Sequence, residues 1–134
     1  MTTIFKDLRE QDFSGLRRIA SACYQTAREK GWWDRKLGDG DWLAPYVSMK
    51  LMLGVTELAE AQDEVRDGGD STSFLQEVRY REDGKPEGFA SELADCVIRC
   101  FDLAGWLKID LAEVIRKKMA YNEKRSFRHG GRKA

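Results

Sequence analysis

Two short stretches, TELAEA at 56–61 and SELADC at 91–96, each place two acids three residues apart in a run otherwise apolar enough for a core. On a helix, positions i and i+3 lie on one side, with Cβ atoms about 5–6 Å apart. Glu57 with Glu60, and Glu92 with Asp95, therefore make two carboxylate pairs, and the Leu and Ala between them set each pair at the apolar border of its helix. A carboxylate is costly to keep charged in such a place. Four of them brought together would force some to hold a proton. The chain must therefore fold so that these acids either reach water or share a cation.

Hydrophobic periodicity predicts four helices. The first covers about 12–30, with Phe13, Leu16, Ile19, Ala20, Cys23 and Ala27 on one face and Gly31 ending it. The second covers about 44–67, with Val47, Leu51, Val55, Leu58, Ala61 and Val65 as its stripe. A third starts near Pro86 or Glu87 and runs to about 107, through Phe89, Leu93, Cys96, Val97, Cys100, Phe101 and Leu103. The fourth opens after Asp110, a suitable N-cap, and continues to about 124. Between the first two lies GWWDRKLGDGDWL at 31–43, and the longer connection at 68–85 can hold a short turn or hairpin around VRYREDGK. The reading is a single all-α domain over 1–134, a four-helix bundle, with a Gly-rich basic tail at about 126–134.

The chain has 134 residues, 42% hydrophobic and 34% charged, with 23 basic against 23 acidic groups. Zero net charge argues against a duplex-binding module, which carries a basic excess. The charge is nonetheless uneven. From Glu113 onward eight Lys or Arg face two Glu, so a positive end complements the acidic stretches, an arrangement that a dipole-compensated helical protein also shows. Cys23, Cys96 and Cys100 lack metal-site spacing, and Cys96 and Cys100, at i and i+4 in an apolar stripe, read as buried thiols of a reducing compartment. No run approaches the roughly 20 apolar residues of a membrane span. The expectation is a cytoplasmic protein with no membrane partner.

Each acid pair alone is common on an exposed helix face. Two of them, on helices that pack together, have a resolution in one divalent cation. Oxygen-only donors select Mg²⁺, with Mn²⁺ as a substitute. Di-iron bundles use Glu-x-x-His pairs, and the one histidine, His129, lies in the tail. A carboxylate-held Mg²⁺ commonly meets substrate phosphate. On the fourth helix Lys118, Asn122 and Arg125 fall at i, i+4 and i+7 on one face. Two cations with an amide between them suit a polyphosphate; a solvated basic face is the plainer alternative.

The stretches LMLGVTELAEAQDEVR, KPEGFASELADCVIRCFDLA and KKMAYNEKRSFRHGG together resemble the MazG-like family of all-α nucleoside triphosphate pyrophosphohydrolases, over roughly 50–131. The shared features are ExxE, then ExxD, then Lys-x3-Asn-x2-Arg before a His-Gly tail. The resemblance implies that Glu57, Glu60, Glu92 and Asp95 hold Mg²⁺ and that Glu57 or Glu60 is catalytic, accepting the proton of the attacking water. It implies that Lys118, Asn122 and Arg125 hold the triphosphate, and that Trp32 or Trp33 lines the base pocket. The implied reaction converts a (d)NTP to the (d)NMP and pyrophosphate, in a homodimer or homotetramer. Two departures stand out: Thr56 occupies a position where some members carry a further Glu, and the spacer between the acid pairs is somewhat long. A non-catalytic helical nucleotide-binding or interaction domain is the alternative.

Overall fold

The computed structural model describes residues 4–68 and 71–125. Most of them are helical. The tail expected at 126–134, with His129, lies outside the described residues. A 3-10 turn at Ile4–Asp7 precedes α1, Glu10–Glu29; then come α2, Leu43–Gly68, a short α3, Thr72–Gln76, α4, Phe89–Trp106, and α5, Leu111–Glu123. The four long helices lie where periodicity places them. Within the 68–85 connection α3 was not anticipated. The hairpin was: β1, Arg79–Tyr80, pairs antiparallel with β2, Pro86–Glu87. Pro86 and Glu87 thus belong to a strand, and α4 begins two residues later than its acids and apolar pattern suggest.

Local chemistry explains the helix ends. Asp110 caps α5, its Oδ1 accepting from the Glu113 amide at 3.2 Å, while its carboxylate also accepts from Arg17 Nε at 2.9 Å. Helix α1 stops at Gly31, whose φ of 79° suits glycine, and the Gly31 and Trp32 amides return to the carbonyls of Arg28 and Ala27. The same pair of reversed bonds closes α4, from Lys108 to Gly105 and from Ile109 to Ala104. Here the left-handed residue is Lys108, with φ of 58°, a conformation that costs a non-glycine residue about 1 kcal/mol.

The central contact is α2 against α4; α1 packs on the other side of α4, and α5 rests mainly on α1 and the 3-10 turn. Gly105 permits the α1–α4 approach, because a Cβ built there would stand 2.6 Å from the Tyr24 ring. At one end Trp33 stacks on Trp106 with centroids 5.4 Å apart, and Tyr46 and Trp42 meet Trp106 edge-on. Trp106 donates its indole N–H to the Arg35 carbonyl at 2.8 Å. These aromatics seal the α2–α4 end.

The face that α2 turns inward is not its expected stripe. Leu51, Val55, Leu58 and Val65 are exposed, and of that stripe only Ala61 is buried. The face meeting α4 instead carries Tyr46, Lys50, Leu53, Gly54, Glu57, Ala61 and Glu64, all buried or half-buried. Small residues at Gly54 and Ala61 admit close packing, and charged groups fill the seam between them. Ile19, expected on the inner face of α1, is likewise exposed. The cysteines also differ from expectation, with Cys96 half-buried and Cys100 exposed, because their side of α4 continues the exposed apolar surface of Leu93 and Val97. Among the described residues no helix is long and apolar enough to cross a membrane.

Candidate functional site

The seam between α2 and α4 is the polar centre of the molecule. One helical face of α4 presents Glu92, Asp95, Arg99 and Asp102 in succession, and α2 answers with Lys50 and Glu57, while Glu64 accepts from Arg79 of β1 at 2.6 Å. Glu57, Glu92 and Asp95, all half-buried, each offer a carboxylate oxygen within 4.8 Å of the others. Glu60 stands one turn along from Glu57 and is exposed; it lies outside that group of three, although its charge reaches both Glu92 and Asp95. The structure therefore gathers three of the four expected acids closely and leaves the fourth at the rim.

Crowding three acids in a half-buried seam has a clear electrostatic consequence. Burial, then the charges of Glu60 and Asp95, then contact with Glu57, push the Glu92 carboxyl up to about 7. Burial and Glu57 also raise Asp95, against the opposing pull of Arg99 and Lys85. Arg99 supplies the nearest cation, its Nε donating to Glu57 Oε1 at 3.2 Å. One guanidinium cannot neutralise three carboxylates, so near pH 7 the group shares a proton. A divalent cation would replace that proton. The donor set fits a hard cation: all oxygen, spaced so that a small inward movement of the side chains would bring all three to one ion.

Further along the seam, Asp102 is only 2% exposed. Burial lifts its carboxyl to about 6 despite Arg99 and Lys50 nearby, and its Oδ1 has no hydrogen-bond partner among the described residues. Lys50 donates to the Trp32 carbonyl at 2.6 Å and lies 4.4 Å from the Trp33 ring centroid. The indole of Trp32 is 53% exposed, with the Arg99 guanidinium 5.3 Å from its ring centroid. Trp33 is packed into the aromatic end. The two neighbouring tryptophans are thus separated by role, Trp33 structural and Trp32 available.

Lys118 and Asn122 lie on α5 and Arg125 just past its end, and all three are exposed. Lys118 and Arg125 flank the Tyr121 ring at 5.6 and 5.9 Å. Because α5 packs mainly on α1, these groups are carried by a helix other than the acid-bearing pair. Among the described residues neither Lys118 nor Asn122 bonds to any of the four acids. Thr56 donates its hydroxyl to the Met52 carbonyl at 3.0 Å within α2, which leaves it no role as a base.

Sequence reasoning passed over Lys50, Arg99 and Asp102. Their signal was present as spacing: Lys50 precedes Glu57 by seven residues, and Arg99 and Asp102 follow Asp95 by four and seven, each on the same helical face. No family model, curated protein or solved structure matches the chain.

Proposed function

We propose that this chain is a Mg²⁺-dependent nucleoside triphosphate pyrophosphohydrolase of MazG-like type, cleaving a (d)NTP to the (d)NMP and pyrophosphate. The observation that carries the reading is the convergence of Glu57 of α2 with Glu92 and Asp95 of α4 within 4.8 Å, after a Trp-bearing connection and before a Lys-x3-Asn-x2-Arg segment. In this reading those three acids, with Glu60 at the rim, hold the metal. When bound, Mg²⁺ would neutralise phosphate oxygens and lower the pKa of a coordinated water.

The side chains of this protein would do the remaining work. Glu57 or exposed Glu60 accepts the proton of the attacking water; of these two, Glu57 is already paired with Arg99. Lys118, Asn122 and Arg125 take the triphosphate and offset charge developing on the leaving pyrophosphate. Trp32 offers a flat indole face to a base. A homo-oligomer belongs to the same proposal. Met49, Leu51, Met52, Val55 and Leu58 on α2, together with Leu93 and Val97 on α4, are exposed, a larger apolar surface than a monomer usually leaves uncovered. A second copy of the chain is the natural cover.

A panel of nucleoside triphosphates with Mg²⁺, scored for pyrophosphate against orthophosphate, tests the reaction. Pyrophosphate is the expected primary product. Glu60→Gln and Asp95→Asn should each abolish turnover while circular dichroism shows the helices intact. Near-normal turnover in either variant removes the metal-site assignment. Nucleotide binding without pyrophosphate release would favour a non-catalytic binding domain.

A further inference from the structure

The Asp102 carboxylate raises a separate question. It lies on α4 two turns beyond Asp95 and lines a small enclosed space with Trp32, Trp33, Lys50, Leu53 and Arg99. Both cations beside it have other partners. Lys50 is committed to the Trp32 carbonyl and Arg99 to Glu57. Asp102 Oδ1 is left buried and unmatched, a state that usually costs about 1–3 kcal/mol. An acceptor kept in that condition, walled by one exposed and one packed indole, is suited to a ligand's N–H. The space is about 10 Å³, room for about one water. Trp32 is its one exposed wall, so a flat ring would need that indole turned outward to enter. Arg99 belongs to both places, bonding Glu57 of the acid group while lining the Asp102 space. Arg99 thereby links the two places.

Resting on the reading of the chain as a nucleotide-cleaving enzyme, we propose that Asp102 reads the base, and that its pocket selects an amino-bearing edge, cytosine or adenine, over the keto counterpart, uracil or hypoxanthine. An exocyclic amino group donates to the waiting carboxylate oxygen. A keto oxygen in the same place would set lone pair against lone pair once the ring has displaced the water. Burial makes that mismatch count, because the unpaired acceptors have no solvent to turn to.

The test compares kcat/KM for dCTP with dUTP, and for dATP with dITP, in the wild type and in Asp102→Asn. The wild type should prefer the amino partner of each pair by about tenfold or more, the scale of a base contact in a buried site. Asp102→Asn, which can present an N–H₂ donor to a keto oxygen, should narrow or reverse that preference. Equal or keto-favouring efficiencies in the wild type overturn the assignment even if pyrophosphate is released, and so does an unchanged ratio in a folded Asp102→Asn. Should that variant fail to fold, the wild-type ratios still decide. If no triphosphate releases pyrophosphate, the hydrolase reading falls on its own. Binding of dCMP against dUMP, followed by tryptophan emission, then reads base preference without turnover, and equal affinity sinks it.

Discussion

Removing one of the acids should make the metal-free protein more stable. The perturbation is Glu92→Gln, which keeps the side-chain shape and deletes one charge from the crowded seam. The Glu92 carboxyl is held at about 7 against an ordinary 4.5. At roughly 1.4 kcal/mol per pKa unit, a shift of that size is worth about 3 kcal/mol. The neutral amide must still be buried, so a gain of about 2 kcal/mol is expected for the variant at pH 8 without divalent ions. For a chain of this length that corresponds to a rise in Tm of roughly 5–10 °C. The pH dependence has a definite direction. Because the folded state binds this proton more tightly than the unfolded state, wild-type stability is fullest below pH 4.5 and falls as pH rises towards 7, then levels off. The advantage of Glu92→Gln should accordingly vanish by pH 4.5, where the wild type has shed nearly all of that penalty while the amide must still be buried. Thermal melts in EDTA at pH 4.5, 6 and 8 supply the measurement. Repeating them with millimolar Mg²⁺ should stabilise the wild type more than the variant, since a ion held only by the folded state raises its stability. A variant that melts at or below the wild type at pH 8 in EDTA would refute the crowding argument.

Three other perturbations probe neighbouring features. Arg99→Gln strips the seam of its nearest counter-charge and should lower the metal-free Tm, by about 1–3 kcal/mol equivalent, with millimolar Mg²⁺ restoring part of the loss; no change on melting would show that Glu57 does not depend on the guanidinium. If the chain is the homo-oligomer proposed, Val55→Glu, placed on the exposed stripe of α2, should convert it to monomer in sedimentation experiments while leaving helicity intact, and an unaltered sedimentation coefficient would point to a different interface. Trp33→Ala should cost about 3–5 kcal/mol in chemical denaturation, whereas Trp32→Ala should cost under about 1 kcal/mol; similar losses would erase the distinction drawn between the two indoles.

The helices were legible because their signals are local. The 3.6-residue pattern, Gly31 at one end and the Asp110 cap at another all act over a few residues. The acid pairs were legible for the same reason, since i, i+3 spacing fixes their side of the helix. What could not be read was which side of α2 meets α4. Two faces compete there, an apolar one through Leu51, Val55 and Leu58 and a mixed one through Lys50, Glu57 and Glu64. Within one chain the mixed face wins, because Gly54 and Ala61 let the backbones approach and because α4 brings Arg99 to Glu57. Pattern alone favours the apolar side. Cys100 was misjudged by the same logic, as its neighbours Leu93 and Val97 also face outward. Arg99 and Asp102 share the helical spacing of the acids but no familiar motif, so their part in the site emerged only from packing.

Gly105 brings no side chain to the seam, yet it sets how closely α4 meets α1. With no methyl there, the Tyr24 ring nests against the helix backbone, and this seating fixes the heading of Asp95, Arg99 and Asp102 on the adjoining side. Adding a single carbon would act like a shim behind a gear: the helix would tilt or turn, and every carboxylate along the seam would shift with it. A chemically silent position, one turn from Asp102, thereby bears on the alignment of the whole polar row.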